Sequence, residues 1–385
     1  MGSYPPRECG IATFTKDVVD SYDRAFDTRS NVIAIDEPGA ERRVYKAGVV
    51  ARLIQDDRAS YRRAAEIANV HPARLVNVQH EYGLFGGQDG EWFLDFLEVV
   101  RKPVAVSLHT VLPDPTEHHK SVARRICERS DAVVVLSQTG KDILAGTYGV
   151  DPDKIRVIHH GVPDVPFRST DQAKVAFGIG HRTVISTFGL ISRGKGLEYG
   201  IDAMRTIAER HPEVLYLILG QTHPGVRRAE GESCRESLVL QILDAKLENN
   251  VVLVDRYLEF EELVNYLGAT DIYLTPYLNP VQIVSGTLAY AVGFGKAVVS
   301  TPYLYAKELL ANQRGLLADF RDPGAIVDAV MRLLDDPSLR SAIERRAYRF
   351  GRQMTWPHVA DEFGRLFAEL VPAPERSHLR LVRPA

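Results

Sequence analysis

TVISTFGLISRGKGLEYGIDAM, residues 183–204, passes from a nearly continuous apolar run through a glycine-rich basic turn into helical spacing. Thr183 to Phe188 shows no sustained polar alternation, which is how a strand covered on both faces of a parallel sheet reads. Leu197 to Glu209 then repeats apolar residues at helical intervals. Strand, turn and helix in that order make half of a right-handed βαβ unit. The same alternation runs along the chain. Apolar runs precede it at Val32 to Ile35, Leu75 to Val78, Val104 to Leu108, Ala132 to Leu136 and Ile155 to Ile158. Others follow at Leu215 to Leu219, Val251 to Val254, Ile272 to Leu274 and Ala297 to Val299. Helical candidates lie between them at Glu91 to Val100, Val122 to Arg129, Thr139 to Tyr148, Leu238 to Leu247 and Phe260 to Leu267. The fold class expected is α/β.

Two such series flank GVPDVPFR, residues 161–168, whose prolines suit an interdomain linker. The pattern predicts two doubly wound, Rossmann-like parallel-sheet domains, 1–163 and 178–355, facing each other across a cleft. A length of 385 residues accommodates that, at roughly 150 residues per domain. The content, 45% hydrophobic and 25% charged, is that of a folded globular protein. A formal net charge of −3 argues against a broad nucleic-acid footprint, so no nucleic-acid partner is expected. Cys9, Cys127 and Cys234 are odd in number and far apart, which points to a reducing, cytoplasmic setting rather than a disulfide framework. No apolar run approaches the roughly 18 residues that span a bilayer, and MGSYPPRECG lacks the order of a signal peptide.

In facing doubly wound sheets, ligands bind beyond the carboxyl ends of the strands. Polar clusters gather there. In FGLISRGKG, residues 188–196, Gly189 and Gly194 permit a tight turn and Gly196 a close approach, while Arg193 and Lys195 bring two positive charges. The turn reads either as a diphosphate clamp or as a solvated basic turn. In NPVQIVSGTLAYAVGFGKAVVSTPY, residues 279–303, a polar loop enters an apolar helix expected to start near Ser285. Ser285, Gly286 and Thr287 would present hydroxyls and free N–H groups at that helix start, or simply cap a core helix. Histidines close several strands: His80 in NVQHEYGLFGG, His109 in VSLHTVLPDP, and His159 and His160 in VIHHGVPD. His118 and His119, within EHHK, read as a solvated helix face. Gln79, His80, Glu81 and His160 fall at strand ends that face the expected cleft. HExxH, CxxC, GxSxG and GxxxxGK[ST] are all missing from the sequence, and isolated His223 and Cys234 make no metal site.

Taken in order, five segments resemble the retaining glycosyltransferases of family 4, group 1, whose fold is the two-domain GT-B type. YPPRECGIATF looks like the family's YPPxxGG opening loop, and VIHHGVPDVPF is similar to VIPNGVDxxxF at the end of the first domain. FGLISRGKGLEYGIDAM matches GRLxxxKGxxxLIxA, with Lys195 on the family lysine. YAKELLANQRGLLADFRDP resembles GGIPEVVEDGVNGLLVPPRDP, with Glu308 on its glutamate. MTWPHVADEF is similar to FSWExVAxxY, which starts a helix, here about 356–371, that returns to the first domain. One departure stands out: the family's E-x7-E pair falls on Gln282 and Tyr290.

The resemblance implies transfer of a hexose from a nucleotide diphosphate sugar to a carbohydrate or glycolipid acceptor, with retention and with neither metal nor resident cofactor. Arg193, Lys195 and the helix start at Ser285 would stabilise the leaving diphosphate. His109, on the family histidine, would bind the sugar or orient the acceptor, and Gln79, His80, Glu81 and His160 would lie on the acceptor side. Gly10 and Gly189 would admit close backbone approach, and Gln282, Ser285, Gly286, Thr287, Tyr290 and Glu308 would complete the donor site. The replaced glutamates leave two other readings: a silent GT-B scaffold that binds sugar nucleotide or glycan, and a sugar-nucleotide epimerase. Membrane contact is expected to be at most peripheral, because Arg62-Arg63, Arg124-Arg125 and Arg345-Arg346 are dispersed. A buried strand precedes the YPP loop in the family, yet only three residues precede Tyr4 here. Three residues are too few for an ordinary central strand, so the expectation is a start farther upstream or a first sheet with unpaired edges.

Overall fold

The computed structural model describes residues 1–40, 43–45 and 48–371. Ten of its twelve strands are the short apolar runs, and all pair in parallel. The first domain has β1 (Val32–Asp36) beside β2 (Val49–Ile54), and a second group in the order β3 (Val76–His80), β4 (Val104–Leu108), β5 (Ala132–Val135) and β6 (Ile155–Val157). The second domain carries β7 (Thr183–Phe188), β8 (Val214–Leu219), β9 (Val251–Val254), β10 (Ile272–Thr275), β11 (Ala297–Ser300) and β12 (Leu316–Leu317). Their spatial order is β12-β11-β10-β7-β8-β9. The chain therefore leaves β7 toward β8 and β9, then crosses back to β10. That reversal is the topological switch point beyond which ligands of such sheets bind.

At the amino terminus Met1–Ser3 runs between β1 and β3. Gly2 pairs with Ala34 of β1: its N–H donates to Ile33 (3.2 Å) and its carbonyl accepts from Ile35 (3.0 Å). On the other side Gln79 N–H donates to the Met1 carbonyl at 2.8 Å, and the Met1 amine to the Asn77 carbonyl at 2.6 Å. Met1–Ser3 thus joins the two groups of strands into one sheet.

Two strands escaped the pattern of buried runs. β2 buries only Ala51 and Leu53 along its length, as expected of a half-covered edge strand, and β12 has just two residues. The opening loop is also shorter than expected. Gly10 begins a 17-residue helix, Gly10–Phe26, with the Cys9 thiol accepting from Ala12 N–H at its start.

The chain crosses between the domains twice, side by side. Val162 N–H donates to Met354 (2.8 Å) and Trp356 N–H to Val162 (2.9 Å). The closing helix, Trp356–Leu370, then lays Val359, Phe363 and Leu366 against Phe14, Val18 and Ile158 of the first domain. Gly161 stands where the crossings touch, and a Cβ there would lie 2.1 Å from the Trp356 ring. Gly161→Ala is therefore expected to cost about 1–3 kcal/mol through overpacking, read as a fall of several degrees in thermal denaturation.

Candidate active site

The second-domain half of the site grows out of the switch point. β7 ends at Phe188, and Gly189 follows with φ +124°. A Cβ on Gly220 (φ +139°), beyond β8, would lie 2.3 Å from the Gly189 carbonyl, so the two loops meet backbone to backbone. The turn Arg193–Lys195 comes next, then Gly196 (φ +60°), where a Cβ would sit 2.1 Å from the Pro276 carbonyl. Glycine is thus required where the basic turn presses on the loop after β10. Lys195 Nζ rests 3.8 Å from the centroid of the Tyr277 ring. Tyr277 shares a hydrogen bond with Thr287 Oγ1 (2.7 Å), which in turn meets Ser285 Oγ (3.1 Å). Ser285 caps the helix Gly286–Gly293 by accepting from Leu288 N–H. The Gly286 and Thr287 amides head this helix at its positive end. The space a Gly189 side chain would fill lies 3.3 Å from the Thr287 methyl and 3.9 Å from Lys195 Nζ. Gly189, Lys195 and Thr287 therefore converge.

Arg193 does not join them. Its guanidinium pairs with Glu230 at 2.7 Å on the exposed side of the turn. In a 3₁₀ turn successive residues are about 120° apart, so Arg193 and Lys195 leave it in different directions.

In the first domain His109, just beyond β4, is wedged edge-on to Phe14 (4.8 Å), and its Nε2 lies 2.9 Å from Gln79 Oε1. His160, beyond β6, meets the same Phe14 ring at 4.9 Å. The expected acceptor-side set separates. Gln79 is 1% exposed and supports His109 rather than lining the cleft. His80 is fully buried, stacked on Phe85, with neither ring nitrogen partnered. It sits on the core face of β3, since side chains alternate along a strand. Glu81 accepts from Thr110 Oγ1 (2.6 Å) and Tyr82 N–H (3.0 Å), and burial pushes its carboxyl up. His119 is buried against Tyr82, 4.0 Å between ring centroids, rather than solvated; His118 is held by Asp89 at 2.8 Å.

Several expected donor residues instead join the domains. Glu308, on the helix Leu304–Leu309, accepts from Gln138 N–H (2.8 Å), Thr139 N–H (2.9 Å) and Thr139 Oγ1 (2.6 Å) across the interface. His160 Nε2 lies 2.8 Å from where a Gly286 Cβ would be, so glycine there lets the domains approach. Gln282 turns back on its own loop, donating to the Val284 carbonyl at 2.8 Å. Gln221 reaches over to Glu8 at 3.0 Å. Tyr290 sits beside Phe188 and His160, with the Asp17 carboxylate within reach of its hydroxyl. Burial pushes Asp17 up to about 6, Lys16 opposing and Asp20 reinforcing. The Trp356 indole also faces that hydroxyl, though its N–H completes no hydrogen bond. Asp17 and Tyr277 were not singled out in the sequence, where an acid on a helix face and a lone aromatic carry no local signal. Gly10 has open space around its Cβ position. The sequence does hold one D-x-D triplet, Asp151-Pro-Asp153, but there Asp151 caps a surface turn by accepting from Asp153 N–H. Among the described residues no cluster of three or more His, Cys, Asp or Glu is placed to hold a metal ion, and no helix is long and apolar enough to cross a membrane.

Three histidines at the strand ends stay neutral. Burial pushes His80 and His109 down to about 3 and His160 to about 4, with His119 adding to the shift on His80, and His160 then His80 to that on His109. The unfolded chain, with histidines near 6.5, binds more protons than the native state below that pH. Their contribution is therefore intact above about 6.5 and is lost as the pH falls toward 3–4. Melting temperature should fall from pH 7 to pH 4, and His80→Phe should flatten that slope while leaving the value at pH 7 nearly unchanged.

Both halves of the chain match family profiles: residues 22–164 that of "Glycosyltransferase Family 4", and residues 170–350 that of "Glycosyl transferases group 1". A D-inositol 3-phosphate glycosyltransferase of Corynebacterium efficiens is 26% identical over 320 residues, covering 76% of this chain and 71% of the relative. An alpha-maltose-1-phosphate synthase of Mycolicibacterium smegmatis is 25% identical over 329 residues, 78% and 80% of the two chains. Among solved structures, HepE of Anabaena in complex with UDP and glucose superposes with a TM-score of 0.73 at 16% identity, over 96% of this chain and 98% of that one. Sucrose-phosphate synthase of Thermosynechococcus elongatus gives 0.73 at 17%, over 93% of each. With two facing parallel-sheet domains and both halves matched, the chain belongs to the group 1 glycosyltransferases of GT-B fold.

Proposed function

We propose that this glycosyltransferase moves a hexosyl unit from a nucleotide diphosphate sugar to an acceptor hydroxyl, with retention and without a metal ion. The observation that carries the reading is the convergence of Lys195, Thr287 and the positive end of the Gly286–Gly293 helix on the space beside Gly189. As the bond from the anomeric carbon to the phosphate oxygen breaks, its electron pair passes to the diphosphate. Lys195 and the amides of Gly286 and Thr287 would stabilise that charge from fixed positions. The acceptor hydroxyl attacks from the face the diphosphate leaves, and its proton passes to the departing phosphate oxygen. His109, neutral and just beyond β4 of the first domain, would hydrogen-bond the sugar or orient the acceptor. Arg193 joins the diphosphate only by leaving Glu230, an exposed pair and therefore a weak one.

The acceptor is read as a carbohydrate or glycolipid. Three free cysteines support a cytoplasmic setting. A second reading, a scaffold that binds sugar nucleotide without turnover, is favoured by Gln282 being turned onto its own loop and by Tyr290 in place of a carboxylate. Calorimetry and turnover with UDP-, GDP- and ADP-sugars separate the two, and product analysis with and without acceptor separates both from an epimerase. Lys195→Ala should lower kcat/KM by about 10²-fold or more, several kcal/mol of transition-state stabilisation. Unaltered turnover of a donor that binds would overturn the phosphate role of Lys195.

A further inference from the structure

We propose that Glu308 is a positioning residue that caps a first-domain helix in trans and thereby sets the register of the donor site against the acceptor site. The functional half of this proposal rests on the glycosyl-transfer reading above.

The receiving helix, Gln138–Tyr148, begins directly after β5. Its own cap, Ser137 Oγ, takes the Gly140 N–H at 3.0 Å and leaves the Gln138 and Thr139 amides to find partners elsewhere. Both are taken by Glu308, one on each carboxylate oxygen, and the Thr139 hydroxyl adds a third bond. Two amides at a helix start suit a carboxylate by charge as well as geometry. Between side chains, so many contacts would order only the side chains. Here the donors on one side are main-chain amides, so the domain itself is held.

Glu308 is rigidly mounted. Tyr305, Ala306 and Leu309 of its helix are buried in the second domain. Arg314 closes that helix by donating to the Glu308 and Leu309 carbonyls at 2.8 and 2.6 Å, with its guanidinium 4.1 Å above the Phe350 ring. The same helix is bonded to the loop that leads into the donor site: Leu304 N–H donates to Pro280 (3.1 Å) and Tyr305 N–H to Gln282 (3.0 Å). From that loop Ile283 inserts into the first domain's core and lies against Gly140. The Glu308 helix, the loop and the start of the Gly286–Gly293 helix therefore form one body. Seating Glu308 on Gln138 and Thr139 places Thr287, and with it the diphosphate, at a set distance from His109 and His160. A carboxylate whose two oxygens are committed in this way is not a donor ligand in this state.

The test uses the full chain with UDP-glucose as probe, together with Glu308→Gln, Thr139→Val and the double variant. Glu308→Gln should leave the calorimetric dissociation constant for UDP-glucose unchanged while lowering kcat by on the order of 10- to 100-fold, the scale of a small misplacement of reacting groups. The double variant should be little worse than Glu308→Gln, because both remove one contact. Hydrogen exchange at Gln138 and Thr139 should be slow in the parent and faster in Glu308→Gln, with the remaining amides unaffected. Thr139→Val alone serves if Glu308→Gln does not fold. Weakening of UDP-glucose binding in parallel with kcat would make Glu308 a donor ligand and overturn the proposal. So would unprotected Gln138 and Thr139 amides in the parent. Absence of turnover by the parent with every donor would instead count against the transferase reading, and the exchange measurement would still decide the trans cap.

Discussion

Every feature of the site depends on the parallel sheet. Strands running the same way need crossover helices, and each such helix starts at the carboxyl end of a strand. In this chain both sheets therefore turn their helix starts toward the space between the domains. Those starts supply N–H groups without partners in their own helix. One of them, headed by Gly286 and Thr287, lies beside Lys195. Another, headed by Gln138 and Thr139, is filled by Glu308 of the facing domain. The same physics makes an anion site in one place and a joint in the other.

Glycine decides how closely the parts approach. Gly220 lets two loops of the second domain meet backbone to backbone, Gly196 lets the basic turn lie on the loop after β10, and Gly286 makes room for His160 from across the cleft. A methyl group at any of these places would collide with backbone or with an imidazole ring. Such collisions would move Lys195, the helix start or the whole domain, which explains why the sequence around the cleft is so punctuated by glycine.

Burial keeps three histidines of the first domain uncharged near neutral pH. His80, His109 and His160 are too far out of water to carry a proton, and Gln79 meets His109 as a neutral partner. The carboxyls of Glu81 and Asp17 are pushed up for the same reason. The Lys195 ammonium stands apart from them, beside Gly189 and Thr287 of the second domain.

The sequence by itself determined the apolar runs, their parallel pairing class, the two-domain organisation and the glycine-rich basic turn, because strand burial and helical spacing are local properties of residue type. The Ser285 cap was legible for the same reason. β2 was not, since an edge strand buries only alternate residues, nor was the pairing of Met1–Ser3, which depends on neighbours more than thirty residues away. Side-chain direction lay wholly with the tertiary structure. A histidine at the end of a strand packs on one face of the sheet or the other according to its register, so His109 meets Phe14 while His80 stacks on Phe85. Arg193 left the turn toward Glu230, and Glu308 left the donor for the first domain. Those outcomes follow from distances between residues far apart in the chain, which no local pattern encodes.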